Sequence, residues 1–205
     1  MIVLASQSPR RKKLLEQLNL RFIVEPSRCD ETYNDNEKTS VIVQKLALRK
    51  ANDVSRGKPS ALVIGADTLV VFKEKILGKP NSAEEAKKML SNLSGNCHSV
   101  FTGVALVKTD NRENILQEKT FVEETKVYFG NLSREEIDSY VNDGSPMDKA
   151  GSYGIQDDWG AIFVKRIEGD YYNVVGLPLH ALYRHLKNFA PEVLSQYSDA
   201  TKHEK

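Results

Sequence analysis

The stretch Ala61-Leu62-Val63-Ile64-Gly65-Ala66-Asp67-Thr68-Leu69-Val70-Val71-Phe72 holds two nearly continuous apolar runs, 61–66 and 69–72. Such runs are the pattern of strands covered on both faces, which calls for helices above and below a sheet. Asp67 interrupts them. A carboxylate in that position loses hydration and persists only beside a cation, a metal or hydrogen-bond donors. The alternative is a tight turn between two strands, with Asp67 capping the backbone.

Moving outward, Ile2 to Ala5 is a short apolar strand, then Ser6-Gln7-Ser8-Pro9 leads into a helix carrying Leu14, Leu15 and Leu18. Ser8 suits the N-cap and Pro9 the first helical position. Residues 21–25 read as a second strand and Pro26 to Lys38 as a loop. A helix starts near Thr39 or Ser40, because Val43, Ala47, Ala51 and Val54 share one face. Ser-Ala-Glu-Glu from Ser82 opens a helix ending at Gly95, and Ser133 to Glu136 opens another ending at Gly144; both look like capping boxes. Ser99 to Val107 and Thr120 to Phe129 read as strands joined by a turn at Asp110 to Asn114. Residues 161–168 and 171–175, around Gly169-Asp170, read as a hairpin. A last helix begins near Pro178. Alternating strands and helices with several hairpins predict an α/β fold with a mixed sheet. After Pro191 the chain turns polar, so 191–205 reads as a tail.

Composition narrows the function. Twenty-nine Lys and Arg against 28 Asp and Glu leave a net charge of +1, too little for a global field that would hold nucleic acid or an anionic membrane. A mean hydropathy of −0.45 and the lack of a long apolar run argue against a membrane span. Cys29 and Cys97 form no Cys-x-x-Cys pair, and the N-terminus has no charged start followed by an apolar signal core, which predicts a cytoplasmic protein with reduced thiols. No common phosphate loop, dinucleotide fingerprint, nucleophile elbow or His-Glu-x-x-His motif occurs.

Four groups of residues carry chemistry. Ser6, Arg10 and Arg11 stand where a strand runs into a helix, so hydroxyls, guanidinium groups and N–H donors converge on a helix N-terminus; they form a phosphate cradle or merely solvate the first turn. Lys79, in a Gly-Lys-Pro turn after a Lys73 to Leu77 hairpin, returns toward Asp67 or stays a solvated cation. Lys50 lies at the edge of its helix's apolar stripe, from which it snorkels past the core or reaches an anionic cleft. Glu31, after Asp30, is a metal carboxylate or loop polarity. In Asp148-Lys149-Ala150-Gly151-Ser152-Tyr153-Gly154-Ile155-Gln156, two glycines let backbone approach a ligand and Gln156 offers both a donor and an acceptor. Trp159, the sole tryptophan, sits just beyond.

The order of these segments carries a resemblance. Ala5-Ser6-x-Ser8-Pro9-Arg10-Arg11, Gly65-Ala66-Asp67-Thr68, Lys79-Pro80, Leu93-Ser94-Gly95 with His98-x-Val100-x-Thr102-Gly103, the Asp148 to Gln156 segment, and Asn173-Val174-Val175-Gly176-Leu177-Pro178 together resemble the Maf family of nucleoside triphosphate pyrophosphatases, over residues 2 to about 188. The resemblance implies a two-lobed α/β domain over 1–190 with a cleft between the lobes, similar in outline to inosine triphosphate pyrophosphatases. It implies metal-dependent cleavage between the α and β phosphates, with Mg2+ or Mn2+ as cofactor, in a homodimer. Ser6, Arg10, Arg11, Lys50 and Lys79 would bind phosphates, Glu31 and Asp67 would serve the metal and the attacking water, and Gln156 would face the base. Arg10, Thr68 and Gln156 together look like the branch that prefers dTTP and UTP. A glutamine can satisfy the O4 acceptor and N3 donor that thymine and uracil share, whereas cytosine presents the opposite pattern. Asp157 and Asp158 depart from the family, which usually has a glycine after the glutamine. The alternative from another class is a non-catalytic, nucleotide-binding regulator of cell division, against which the intact Glu31, Asp67 and Lys79 weigh.

Overall fold

The structure, a computed structural model, describes residues 1–144, 146–156 and 158–195. Its strands are β1 (Ile2–Ala5), β2 (Phe22–Val24), β3 (Leu62–Phe72), β4 (Lys75–Leu77), β5 (Cys97–Thr109), β6 (Ile115–Phe129) and β7 (Val164–Glu168). Its helices are α1 (Pro9–Glu16), α2 (Thr39–Ser55), α3 (Ala83–Leu93), α4 (Arg134–Asn142), α5 (Asp158–Phe163), α6 (Tyr171–Val175) and α7 (Leu179–Phe189). One seven-stranded mixed sheet runs β2-β1-β3-β5-β6-β7, with β4 beside β3. β1 is parallel to β2 and β3; the pairs β3–β4 and β6–β7 are antiparallel. This is the expected mixed α/β fold.

The chain divides into two compact units, and the long strands β3, β5 and β6 contribute residues to each. Among the described residues the first unit holds 1–67, 103–122 and 176–195. Its core sets Ala47, Ala51 and Val54 of α2 against Val3, Ala5, Val63, Ala105 and Val107 of the strands. The apolar stripe read from the sequence is therefore the buried face, and it contributes in the usual way, through the apolar area it removes from water. Two glycines let α2 lie against the sheet. A Cβ on Gly65 would fall 2.3 Å from the Ala47 carbonyl oxygen, and one on Gly103 would fall 2.3 Å from the Val43 carbonyl carbon. Backbone cannot yield there as a flexible side chain would, so Gly103→Ala is expected to cost about 2 kcal/mol of stability. Urea unfolding checks this; an unchanged midpoint at equal slope would refute it.

The second unit holds 68–102 and 123–175. Its core gathers Val70, Ala86, Leu90, Leu93, Val100, Val127 and Phe129 with Ile137, Tyr140, Val141, Tyr153 and Phe163. Ser133 and Glu136 form a complete reciprocal capping box on α4. At α3 the box is displaced by one residue: Ser82 caps Glu85 N–H, but the Glu85 carboxylate accepts from Asn81 N–H at 2.8 Å.

Two readings need correction. Asp67 does not divide two strands: β3 runs unbroken through it. The hairpin expected over 161–175 is absent. Residues 158–163 form α5, only 164–168 form a strand, which pairs with β6, and 171–175 form α6. Gly169-Asp170 is a helix start, since the Asp170 carboxylate accepts from Tyr172 N–H at 2.7 Å. Of the expected 191–205 tail, Pro191–Leu194 is a 3-10 turn tied by Lys108 Nζ to Glu192 Oε1 at 2.6 Å. Residues 196–205, like Ser145 and Asp157, lie outside the described residues. No described helix is long and apolar enough to cross a membrane.

Candidate functional site

In the first unit, parallel pairing sets Ala5 of β1 opposite Gly65 of β3, so the chain leaves β1 at Ser6 beside the middle of β3, where Asp67 lies. Carboxyl ends of parallel strands are where open α/β sheets place ligands. Ser6 is buried, and its Oγ accepts from Ser8 N–H at 3.1 Å. Ser8 caps α1 by accepting from Arg11 N–H, and Pro9 opens the helix, as its sequence predicts. Arg10 and Arg11 therefore project from a first turn whose dipole disfavours cations, a placement that an anion would repair.

Arg11 is held on both sides. Its Nε donates to the Gly176 carbonyl at 2.8 Å, and its Nη1 lies 3.5 Å from Ser6 Oγ. Lost hydration lowers its pKa, the charges of Asp67 and Glu31 oppose that, and Arg10 adds to it. The two guanidinium groups and the two carboxylates thus share one electrostatic neighbourhood.

Lys50 of α2 is buried, with Nζ 2.6 Å from Asp67 Oδ1 and 2.9 Å from Glu31 Oε1. The stripe-edge lysine reaches anions rather than snorkelling. The carboxylates differ: the Asp67 side chain is 10% exposed and that of Glu31 64%. The loop bearing Glu31 is fastened to α2. Arg49 Nη1 donates to Thr32 O at 2.5 Å, and Asp53 accepts from Arg28 N–H at 2.7 Å and from the Ser27 hydroxyl at 2.9 Å. Asp30 closes the loop by accepting from Thr32 N–H at 2.9 Å.

Two carboxylates converging on one positive charge suit a divalent cation of the Mg2+ type. No group of three or more His, Cys, Asp or Glu side chains converges among the described residues. Further ligands would therefore be phosphate oxygens and water, as is usual for Mg2+.

In the second unit, Thr68 Oγ1 lies 2.9 Å from Thr102 Oγ1, which donates to Asn173 O at 2.9 Å. Lys79 is exposed beside Gly78, whose carbonyl accepts from Gly151 N–H at 3.0 Å, so the Gly-Lys-Pro turn and the Asp148 to Gln156 segment meet. Gln156 is exposed.

Sequence reading misses the roles of four residues. Arg49 and Asp53 position Glu31; only their place on the loop-facing side of α2, beside Lys50, could have singled them out. Tyr33 feels Asp67: burial first, then the charges of Asp35 and Asp67, raise its pKa. Gly176 appeared in a motif, but its carbonyl's grip on Arg11 spans 165 positions and has no local signature.

A family model described as "Maf-like protein" matches residues 1–189. A Geobacillus protein named dTTP/UTP pyrophosphatase is 52% identical over 186 residues, covering 91% of this chain and 96% of its own. Proteins of the same name from Bacillus cereus and Bacillus anthracis are 48% and 49% identical over 192 residues, 94% of this chain and 97% of each. A solved structure, the Staphylococcus aureus Ham1 protein, matches at a TM-score of 0.41 and 16% identity over 62% of this chain and 71% of that one, too loosely to add to the fold described above.

Proposed function

Since the chain belongs to the Maf-like family, we propose that it hydrolyses dTTP and UTP to the monophosphate and pyrophosphate with a divalent metal ion. The observation that carries this reading is the convergence of Glu31 and Asp67 on Lys50, within 2.9 Å, in the neighbourhood of Arg10 and Arg11. A triphosphate carries about four negative charges, and their mutual repulsion must be offset before water can approach phosphorus.

In this reading Ser6, Arg10, Arg11, Lys50 and Lys79 hold the phosphates, with the guanidinium groups giving paired N–H donors. Glu31 and Asp67 hold the metal, which when bound neutralises phosphate charge and polarises water. In the same reading Asp67 takes the proton of the attacking water. One water is consumed, the α–β anhydride bond breaks, and the electron pair of that bond leaves on the bridging oxygen. Lys50 bridges the two carboxylates without substrate and is drawn toward phosphate oxygens with it. Thr68 and Gln156 face the base, where Gln156 pairs with O4 and N3. The protein works as a cytoplasmic homodimer in nucleotide house-cleaning, a single two-lobed domain over 1–190; sedimentation as a monomer at micromolar concentration would remove the dimer.

A side-by-side assay of nucleoside triphosphates with Mg2+ tests the reading. UTP and dTTP should be cleaved about a hundredfold more efficiently than CTP. Pyrophosphate should appear before any orthophosphate, and excess EDTA should abolish the reaction. Orthophosphate as the first product, or equal rates on CTP, would refute it.

A further inference from the structure

The segment Lys149 to Gln156 is fastened link by link within the second unit. Gly151 N–H donates to Gly78 O at 3.0 Å, and Gly151 has a φ of +70 against Val70, whose Cγ1 would meet an added Cβ at 3.1 Å. Ser152 Oγ lies 3.1 Å from Met89 Sδ. Tyr153 places its hydroxyl 2.8 Å from His98 Nε2. A Cβ on Gly160 of α5 would fall 2.5 Å from Gly154 O, so helix and segment touch backbone to backbone. Two residues later Gln156 is exposed.

One link is unlike the others. His98 and Tyr153 are 3% and 5% exposed, and neither has a place in phosphate, metal or water chemistry. Their rings meet edge to face at 5.2 Å, and both meet Phe129 the same way, at 5.1 and 4.8 Å. The second ring nitrogen of His98, Nδ1, has no hydrogen-bond partner among the described residues, so the tyrosine is the ring's one polar anchor. Burial lowers the His98 pKa to about 4 and raises that of Tyr153, which leaves both neutral at pH 7.

An apolar pair of the same shape would fill this space without desolvating a hydroxyl and an imidazole, and such double replacements are often neutral or stabilising. The polar pair adds direction: a hydrogen bond fixes where along the core the Tyr153 ring stops, and hence the register of the residues that follow. We infer that the His98–Tyr153 hydrogen bond is a positioning device for Gln156, holding the segment so that the glutamine meets the base in one register. The inference rests on the reading of Gln156 as the base-contacting residue.

The test uses Tyr153→Phe, which keeps the packing and removes the hydroxyl, and His98→Gln, which keeps a non-titrating partner for Tyr153. Trp159, three residues past Gln156, is the only tryptophan and reports the order of the segment by acrylamide quenching of its emission. Tyr153→Phe should raise KM for UTP and dTTP about tenfold, keep kcat within about twofold, and cut the preference over CTP about tenfold. Quenching of Trp159 should rise, while His98→Gln stays within about threefold of wild type in KM. Wild-type KM and base preference in Tyr153→Phe would overturn the inference, whatever the change in melting temperature. If the wild-type protein cleaves neither UTP nor dTTP, the functional reading is what fails; quenching then decides the pin alone, with an unchanged signal in Tyr153→Phe counting against it.

Discussion

Asp67→Asn is expected to lower pyrophosphate release from UTP about a thousandfold, because it removes the one carboxylate of the site that water does not reach freely. Asp67 is buried with Lys50 Nζ at 2.6 Å, and in that shielded setting a carboxylate acts more strongly on a metal ion or a water proton than it would in solvent. Glu31 faces Lys50 from the other side but with its side chain 64% exposed, so Glu31→Gln should cost about tenfold. Asp67→Asn should stay folded, since Glu31, 2.9 Å from the ammonium, still neutralises Lys50. Melting curves therefore separate lost chemistry from lost structure. The variant also tells two roles apart. If Asp67 mainly holds the metal, raising Mn2+ should recover part of the rate; if it mainly accepts the proton of water, no metal concentration will. A variant keeping more than about a tenth of wild-type activity would remove Asp67 from the mechanism.

The difference between those carboxylates also shows which parts of this protein are legible in its sequence. Ser8 and Pro9 announce α1, and the spacing of Val43, Ala47, Ala51 and Val54 announces α2, because caps and stripes are written within a turn or two of the chain. Asp67 was harder. Its interruption of an apolar run could be a turn or a paired charge, and the deciding partner, Lys50, is 17 positions away on another element. Once that ammonium is in place the strand need not break, and β3 continues. Gly169-Asp170 failed for the opposite reason. A Gly-Asp pair signals a turn at short range, but whether a strand or a helix follows depends on what the Asp170 carboxylate finds, and here it finds Tyr172 N–H. Arg49 and Asp53 escaped notice because a side chain that holds a loop through backbone groups imposes no residue type on that loop. Ser6, Arg10 and Arg11 stand out in the sequence through an electrostatic oddity, cations at the wrong end of a helix, which a bound anion would offset. Lys79 and Gln156 carry only weak local signals, a turn and a two-sided amide, and Thr68 carries none, so their assignment leans on family resemblance; the nucleotide panel tests the base contacts of Thr68 and Gln156.

Acid should weaken the fold by a route that starts at His98. An exposed histidine in the unfolded chain takes up a proton near its ordinary value of 6.5, whereas burial among Phe129 and Tyr153 holds the folded ring's pKa down to about 4. Above pH 6.5 both states are neutral at this site and it contributes nothing to the pH dependence. As pH falls through 6.5 the unfolded state binds a proton that the folded state refuses, and stability drops until the folded ring also titrates near pH 4. The whole span amounts to about 3 kcal/mol, most of it gone by about pH 4.5. Carboxylates with lowered pKa, such as Asp53, Asp110 and Glu192, withdraw stability in the same direction, but only as pH falls through the ordinary carboxylate range and below. His185, lowered by burial and by Lys119, acts in the same direction as pH falls below the ordinary histidine value and persists as background. His98→Gln cancels the His98 contribution and leaves the rest, so the difference between the two proteins isolates it. Urea unfolding from pH 7 to 4.5 should show wild type losing about 2 to 3 kcal/mol more than His98→Gln. Parallel curves would mean that the ring accepts its proton while folded, which would require water or an anion to reach Nδ1, and the neutral, enclosed His98–Tyr153 pair could not then hold the segment that leads to Gln156.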